Sequence, residues 1–176
     1  KDRLTSILNG IDESAWNPIH DPHIPSHYDI ASLSNKRPNK TTLQQRMGLD
    51  VDANTPLLGV VSRLTSQKGI DLFIEIIPDL VSRGCQLVVL GNGDATNENA
   101  LRQFALQFPG KVAVKIGFDE SLSHLITAGI DIFLMPSRFE PCGLNQMYSQ
   151  RYGTPPLVSA TGGLADTVFD CSDRLI

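Results

Sequence analysis

Hydrophobic spacing changes along the chain, and the changes predict its elements. Up to residue 37 no spacing persists. Pro18, Pro22 and Pro25 interrupt any helix, Asn9-Gly10 is a turn signal, and only Leu4 to Leu8 reads as a short strand. Pro38 is placed to open a helix that runs through Leu43 to Met47 and stops at Gly48, with a loop from Asp50 to Pro56. From there solid apolar runs alternate with helically spaced positions. The runs are residues 57–61, 86–90, 112–116, 130–135 and 156–158. They are short and mostly apolar, as strands covered on both faces of a parallel sheet tend to be. Between them, Ile70, Phe73, Ile74, Ile77, Leu80 and Val81 recur at helical spacing, and Pro78 is expected to bend or split that helix. Leu101, Phe104, Ala105 and Phe108 mark a second helix of this series. Glu120 to Ala128 is a third, with Asp119 as its N-cap, and Gly143 to Tyr152 a fourth.

Strands alternating with helices predict an α/β chain with a doubly wound, Rossmann-like parallel sheet. The expected division is an irregular linker over residues 1–37 and one domain over 38–176, with a closing helix missing after Ile176. Ligands of such a sheet bind at the carboxyl ends of its strands, here the loops after positions 61, 90, 116, 135 and 158.

The chain has 176 residues, of which 41% are hydrophobic, enough for the core of one domain. It contains no apolar run near the roughly 18 residues of a membrane span, and its first residues do not resemble a signal peptide. The first residue is Lys1, not Met, which fits a piece of a longer chain. Cys85, Cys142 and Cys171 are widely spaced and form no CxxC pair, so a zinc site or redox dithiol is not expected and a reduced, cytoplasmic setting is. The net charge of −4 argues against nucleic acid or an anionic membrane as partner and is compatible with a neutral polymer. An anionic ligand needs a local cationic spot.

The first loop supplies one: Ser62-Arg63-Leu64-Thr65-Ser66-Gln67-Lys68-Gly69 brings two cations to the start of a helix, as a diphosphate clamp would, or as an ordinary solvated loop would. The second holds Gly91-Asn92-Gly93, where a ligand can approach the backbone; Thr96 breaks the GxGxxG dinucleotide pattern, which disfavours a dehydrogenase or nucleotide-sugar epimerase. Phe118, in the third, can stack on a base or pack as a rim aromatic. The fourth, Ser137-Arg138-Phe139-Glu140-Pro141-Cys142-Gly143-Leu144, carries a carboxylate at the sheet mouth that either faces a sugar or pairs with Arg138 or Arg151. Cys142 reads as a packed thiol. Gly162-Gly163 after the last strand offers a second backbone cradle or a plain turn, with Asp166 as a cap for the next turn. His124 reads as structural.

Taken with Leu8-Asn9-Gly10-Ile11-Asp12, Tyr152-Gly153-Thr154 and Thr161 to Val168, these loops resemble bacterial glycogen synthases and plant starch synthases. The resemblance implies the C-terminal half of a two-domain GT-B glycosyltransferase that moves glucose, with retention, from ADP-glucose to the non-reducing end of an α-1,4-glucan. It implies that the N-terminal half is missing, that no cofactor or metal is used, and a cytoplasmic site (a plastid in a plant). By position it implies that Arg63 and Lys68 grip the diphosphate and that Glu140 sits beside the glucose. Phe118 stacks on the base, and main-chain amides at Gly143, Leu144 and Asn145 meet the distal phosphate. Phe118 stands where the family often has Tyr, and Asn145 where it often has Thr. The alternative is a nucleotide- or carbohydrate-binding module without catalysis.

Overall fold

The computed structural model describes residues 7–171. The expected strand over Leu4 to Leu8 falls largely outside them, as does the chain after Cys171. Five strands form one parallel sheet in the order β3-β2-β1-β4-β5: β1 Leu57–Val61, β2 Gln86–Gly91, β3 Val112–Ile116, β4 Ile132–Met135 and β5 Pro156–Val158. Side chains of adjacent residues leave a strand on opposite faces, and both faces here are covered. Leu57, Val88, Leu90, Phe133 and Met135 pack with Leu43, Leu125 and Ile126 on one face. Leu58, Val60, Leu87, Val89 and Leu134 pack with Ile70, Phe73, Ile77 and Leu101 on the other. That two-sided burial is why the strands read as solid apolar runs.

The helices are α1 Arg37–Met47, α2 Ile70–Ser82, α3 Ala95–Gln107, α4 Glu120–Gly129, α5 Asn145–Arg151 and α6 Gly162–Thr167. The Asp119 side chain caps α4, accepting from the Leu122 N–H at 2.8 Å. Four expectations need correction. Pro78 does not split α2, which runs unbroken through it. Ile70, Phe73 and Ile77 are buried while Pro78 is exposed, so the hydrogen bond it cannot make falls on the solvent side. α3 begins six residues before Leu101, its only buried residue, so apolar spacing could not mark its first turns. α5 starts two residues after Gly143, whose φ of +73° is outside the helical range. Asp166 lies inside α6 and is not a cap.

The leading segment is irregular to Asp29, then forms a short 3-10 helix, Ile30–Lys36, that runs into α1. Part of it is core. Ile24 and Tyr28 are buried with Ala128 and Tyr152, and Trp16 packs against them. Asp21, 1% exposed, accepts from the Tyr152 hydroxyl at 2.5 Å, lies 2.8 Å from His124 Nδ1, and accepts from the His23 N–H at 2.8 Å. Tyr28 donates to the Tyr152 carbonyl at 2.9 Å. Trp16 is sandwiched between His124 and Tyr148, with ring centroids 3.7 and 4.0 Å away. His124 is structural, as expected.

Two tests follow from this packing. Burial alone would raise the Asp21 carboxyl, but the His124, Tyr152 and His23 hydrogen bonds outweigh it and hold it below the usual carboxylate range. Its contribution is therefore present above the unfolded value of about 4 and is lost as pH falls through the lower folded value. Asp21→Ala should cost roughly 2–4 kcal/mol, because it strips an acceptor from two buried donors, and should flatten the acid limb of a plot of Tm against pH. Gly69 has φ +68°, and a Cβ there would lie 1.9 Å from the Pro136 carbonyl oxygen. Gly69→Ala should cost about 2–4 kcal/mol in urea unfolding; an unchanged midpoint would show that the two loops do not need this contact.

Candidate functional site

The strand order reverses between β1 and β4: β2 and β3 extend to one side, β5 to the other. Crevices form at such a reversal, beyond the carboxyl ends of the strands, because the two following connections leave on opposite faces of the sheet. A cavity of about 190 Å³ lies there, lined by Val60, Val61, Ser62, Arg63, Lys68, Leu134, Met135, Pro136, Ser137 and Asn145. A second, of about 280 Å³, shares Val61, Ser62, Arg63 and Asn145 and adds Trp16, Leu90, Gly91, Asn92, Gly117, Phe118, Asp119, Ser123 and Thr127. Arg63 and Asn145 therefore stand between a small basic chamber and a larger one with an aromatic rim. A broader cavity, about 820 Å³, runs along β5 and α6 and is lined by none of the candidate residues.

The loop after β1 presents Lys68 at the end of a one-turn 3-10 helix, Ser66–Lys68, closed by the left-handed Gly69. The Lys68 ammonium is ion-paired with Glu140; their side chains are 17% and 8% exposed. The expected alternative partners of Glu140 are otherwise placed. Arg138 pairs with Asp71, and among the described residues Arg151 forms no ion pair. A buried carboxylate needs a cation or several donors, and Lys68 is the cation that reaches it. Arg63 forms no ion pair among the described residues and donates to Gln67 Oε1 at 3.3 Å, so its charge is turned to the cavities it lines.

The loop after β4 arrives at α5 through Gly143 and Leu144. No side chain caps α5, so its first amides are available at the sheet edge. The Asn145 side chain donates to the Val61 carbonyl at 2.7 Å, fixing the start of α5 to the end of β1. Cys142 is half-buried. Phe118 is 88% exposed at the rim of the larger chamber.

The paired glycines hold loops together. A Cβ on Gly91 would meet the Ser62 carbonyl oxygen at 1.9 Å, and one on Gly93 the Leu64 carbonyl oxygen at 2.6 Å. On Gly162 it would meet the Glu140 carbonyl oxygen at 2.2 Å, and on Gly163 the Cys142 backbone at 2.4 Å. The first pair presses the second loop onto the loop of Arg63; the second presses the fifth loop onto that of Glu140, whose carbonyl accepts from the Gly163 N–H at 3.0 Å. Of the four, Gly91 alone also lines one of the two chambers.

The structure thus gathers Arg63, Lys68 and Asn145 on one cavity, sets Glu140 against Lys68, and places Phe118 on the adjoining chamber. Sequence reasoning missed Trp16, which walls that chamber from a segment read as linker, and Gln67, which joins Arg63 to the Phe139 carbonyl at 3.2 Å. Among the described residues no group of three or more His, Cys, Asp or Glu is placed to hold a metal, and no helix is long and apolar enough to cross a membrane.

The chain is 59% identical over 170 residues to a glycogen synthase of Aromatoleum aromaticum, covering 97% of this chain and 34% of that protein. It is 55% identical to one of Pectobacterium atrosepticum, covering 97% and 36%. It therefore spans about a third of the length of these curated relatives. Among solved structures, the catalytic domain of starch synthase IV from Arabidopsis thaliana, bound to ADP and acarbose, superposes with a TM-score of 0.87 at 39% identity, over 97% of this chain and 35% of that one. A UDP-glucose complex of Anabaena HepE, at 21% identity and a TM-score of 0.64, shares the fold. The family model described as glycosyl transferases group 1 matches residues 43–176. The chain belongs to the group 1 glycosyl transferases.

Proposed function

We propose that this chain is the donor-binding half of a glycogen or starch synthase, which transfers glucose with retention from ADP-glucose to the non-reducing end of an α-1,4-glucan. The observation that carries the reading is the meeting of Arg63 and Lys68 on one small chamber at the sheet reversal, beside the uncapped start of α5. In the reaction the bond between the glucose anomeric carbon and a phosphate oxygen breaks, and its electron pair goes to the diphosphate. A glucan hydroxyl forms the new bond and gives up its proton to the departing diphosphate. Arg63, Lys68 and the amides around Leu144 and Asn145 meet the negative charge gathering on the leaving group, as preorganised donors do. Glu140 faces the positive charge that develops on the sugar, and Phe118 and Trp16 border the nucleoside. The cations take the part a metal would play, so no cofactor is assigned.

The Lys68 pairing adds a step to donor binding. Glu140 holds the Lys68 ammonium. A diphosphate draws Lys68 to itself and leaves the Glu140 carboxylate to the sugar. The similarity to glycogen synthases over nearly the whole chain, and to a starch synthase domain whose structure contains ADP, supports the donor assignment. The reaction is assigned to the cytoplasm, or to a plastid in a plant. The rest of the protein supplies acceptor contacts, so the isolated chain is assigned nucleotide binding without transfer.

Titrating ADP, ADP-glucose, UDP-glucose and NAD into the chain tests this. ADP and ADP-glucose should bind and NAD should not; Arg63→Ala and Lys68→Ala should each abolish measurable ADP binding. In the full-length enzyme either substitution should lower the rate by about 10²–10³. Retained nucleotide binding with no transfer by the full-length protein would instead favour a binding module.

A further inference from the structure

Arg138 and Asp71 form a bidentate pair on the surface beside the chamber. Arg138 Nη1 donates to Asp71 Oδ1 at 2.5 Å and Nη2 to Oδ2 at 2.7 Å, while Nη1 also donates to the Ser66 carbonyl at 2.7 Å. The side chains are 45% and 41% exposed, and a pair so open to water contributes little to stability. Its place in the fold is more telling. Asp71 lies in the first turn of α2, directly after the loop that carries Arg63 and Lys68. Arg138 stands two residues before Glu140. The pair therefore ties the loop that supplies the cations to the loop that supplies the carboxylate.

Two more bonds follow the same seam. The Arg138 N–H donates to the Gln67 carbonyl at 2.9 Å, and Gln67 Nε2 donates to the Phe139 carbonyl at 3.2 Å. Both terminal nitrogens of the guanidinium are engaged within the protein, so Arg138 is not the group that meets the ligand. The planar fork fits a carboxylate on one edge and leaves a donor for a carbonyl, which fixes direction as well as distance. We infer that Arg138 and Asp71 are positioning residues, which hold Lys68 in register with Glu140 and so set the electrostatics of the chamber. This rests on the proposed function for its catalytic consequence, and on geometry alone for its structural one.

Two measurements separate these. In the isolated chain, reductive methylation read by mass spectrometry reports how often Lys68 leaves its carboxylate, with exposed Lys115 as control. Asp71→Asn and Arg138→Gln should each raise Lys68 labelling about fivefold or more, as local opening becomes easier, while Lys115 stays unchanged. The exchange Asp71→Arg with Arg138→Asp should restore much of the protection. In the full-length enzyme the single variants should lower kcat by up to about 10²-fold, as a misplacement of around 1 Å does, with KM for the donor changed far less and Tm nearly unchanged. Arg138→Lys, which keeps the charge and loses the fork, should fall between and serves if Arg138→Gln fails to fold. Unchanged Lys68 labelling would overturn the inference. If wild-type enzyme transferred no glucose, the proposed function would fail, and the labelling would still decide the positioning role.

Discussion

The ion pair between Lys68 and Glu140 is the contact to which the rest of the site is fitted. Neither group can be buried alone: an ammonium or a carboxylate removed from water without a counter-charge costs several kcal/mol, about the stability margin of a whole domain. Each therefore requires the other, and the two lie 72 residues apart in sequence. Everything that brings the loops after β1 and β4 together serves that requirement. β1 and β4 are paired neighbours in the sheet. Gly69 lets the first loop's backbone touch that of the second at Pro136, and Gly162 and Gly163 hold the second loop from behind.

In the proposed reaction the same arrangement makes the pair exchangeable. A diphosphate entering the small chamber offers Lys68 more negative charge than one carboxylate does, and Arg63, which has no carboxylate of its own among the described residues, adds to the attraction. Binding then exchanges one counter-ion for another and leaves no buried ammonium unpaired. On that proposal, the carboxylate released in this exchange is left to face a sugar attached to the diphosphate. The proposed function thus has the sugar and the diphosphate recognised by one coupled pair of charges.

Much of the fold was legible because it rests on local pattern. Short apolar runs alternating with helically spaced stretches fit strands of a covered sheet, and the five runs overlap β1 to β5. Asp119 was legible as a cap because capping is a three-residue matter. The start of α3 was hidden by its polarity, since its apolar stripe begins only at Leu101. Of the site, the loops that carry chemistry were legible from their position after strands, and Arg63 and Lys68 from their charge. The partner of Glu140 was not. Arg138 is two residues away and Lys68 is distant, yet β4 sends Arg138 toward Asp71 and the pairing is settled by topology. Trp16 was invisible as a site residue for a similar reason: nothing local indicates that an irregular segment folds back across α4 and α5 to wall a chamber.

That folded-back segment ties the chamber to the domain's stability. Trp16 is held by stacking on His124 and Tyr148, and His124 is held by Asp21, which lies in the same leading segment. The wall of the larger chamber is thus anchored at two points on helices whose other faces are in the core. Such a wall cannot move without giving up either the ring stack or the buried carboxylate's donors. The same chamber also carries Phe118, exposed at its rim. On the proposed function a nucleoside entering this chamber meets Trp16, held by its ring stack, and Phe118, which is exposed, and Arg63, which lines both chambers, joins that site to the chamber of Lys68.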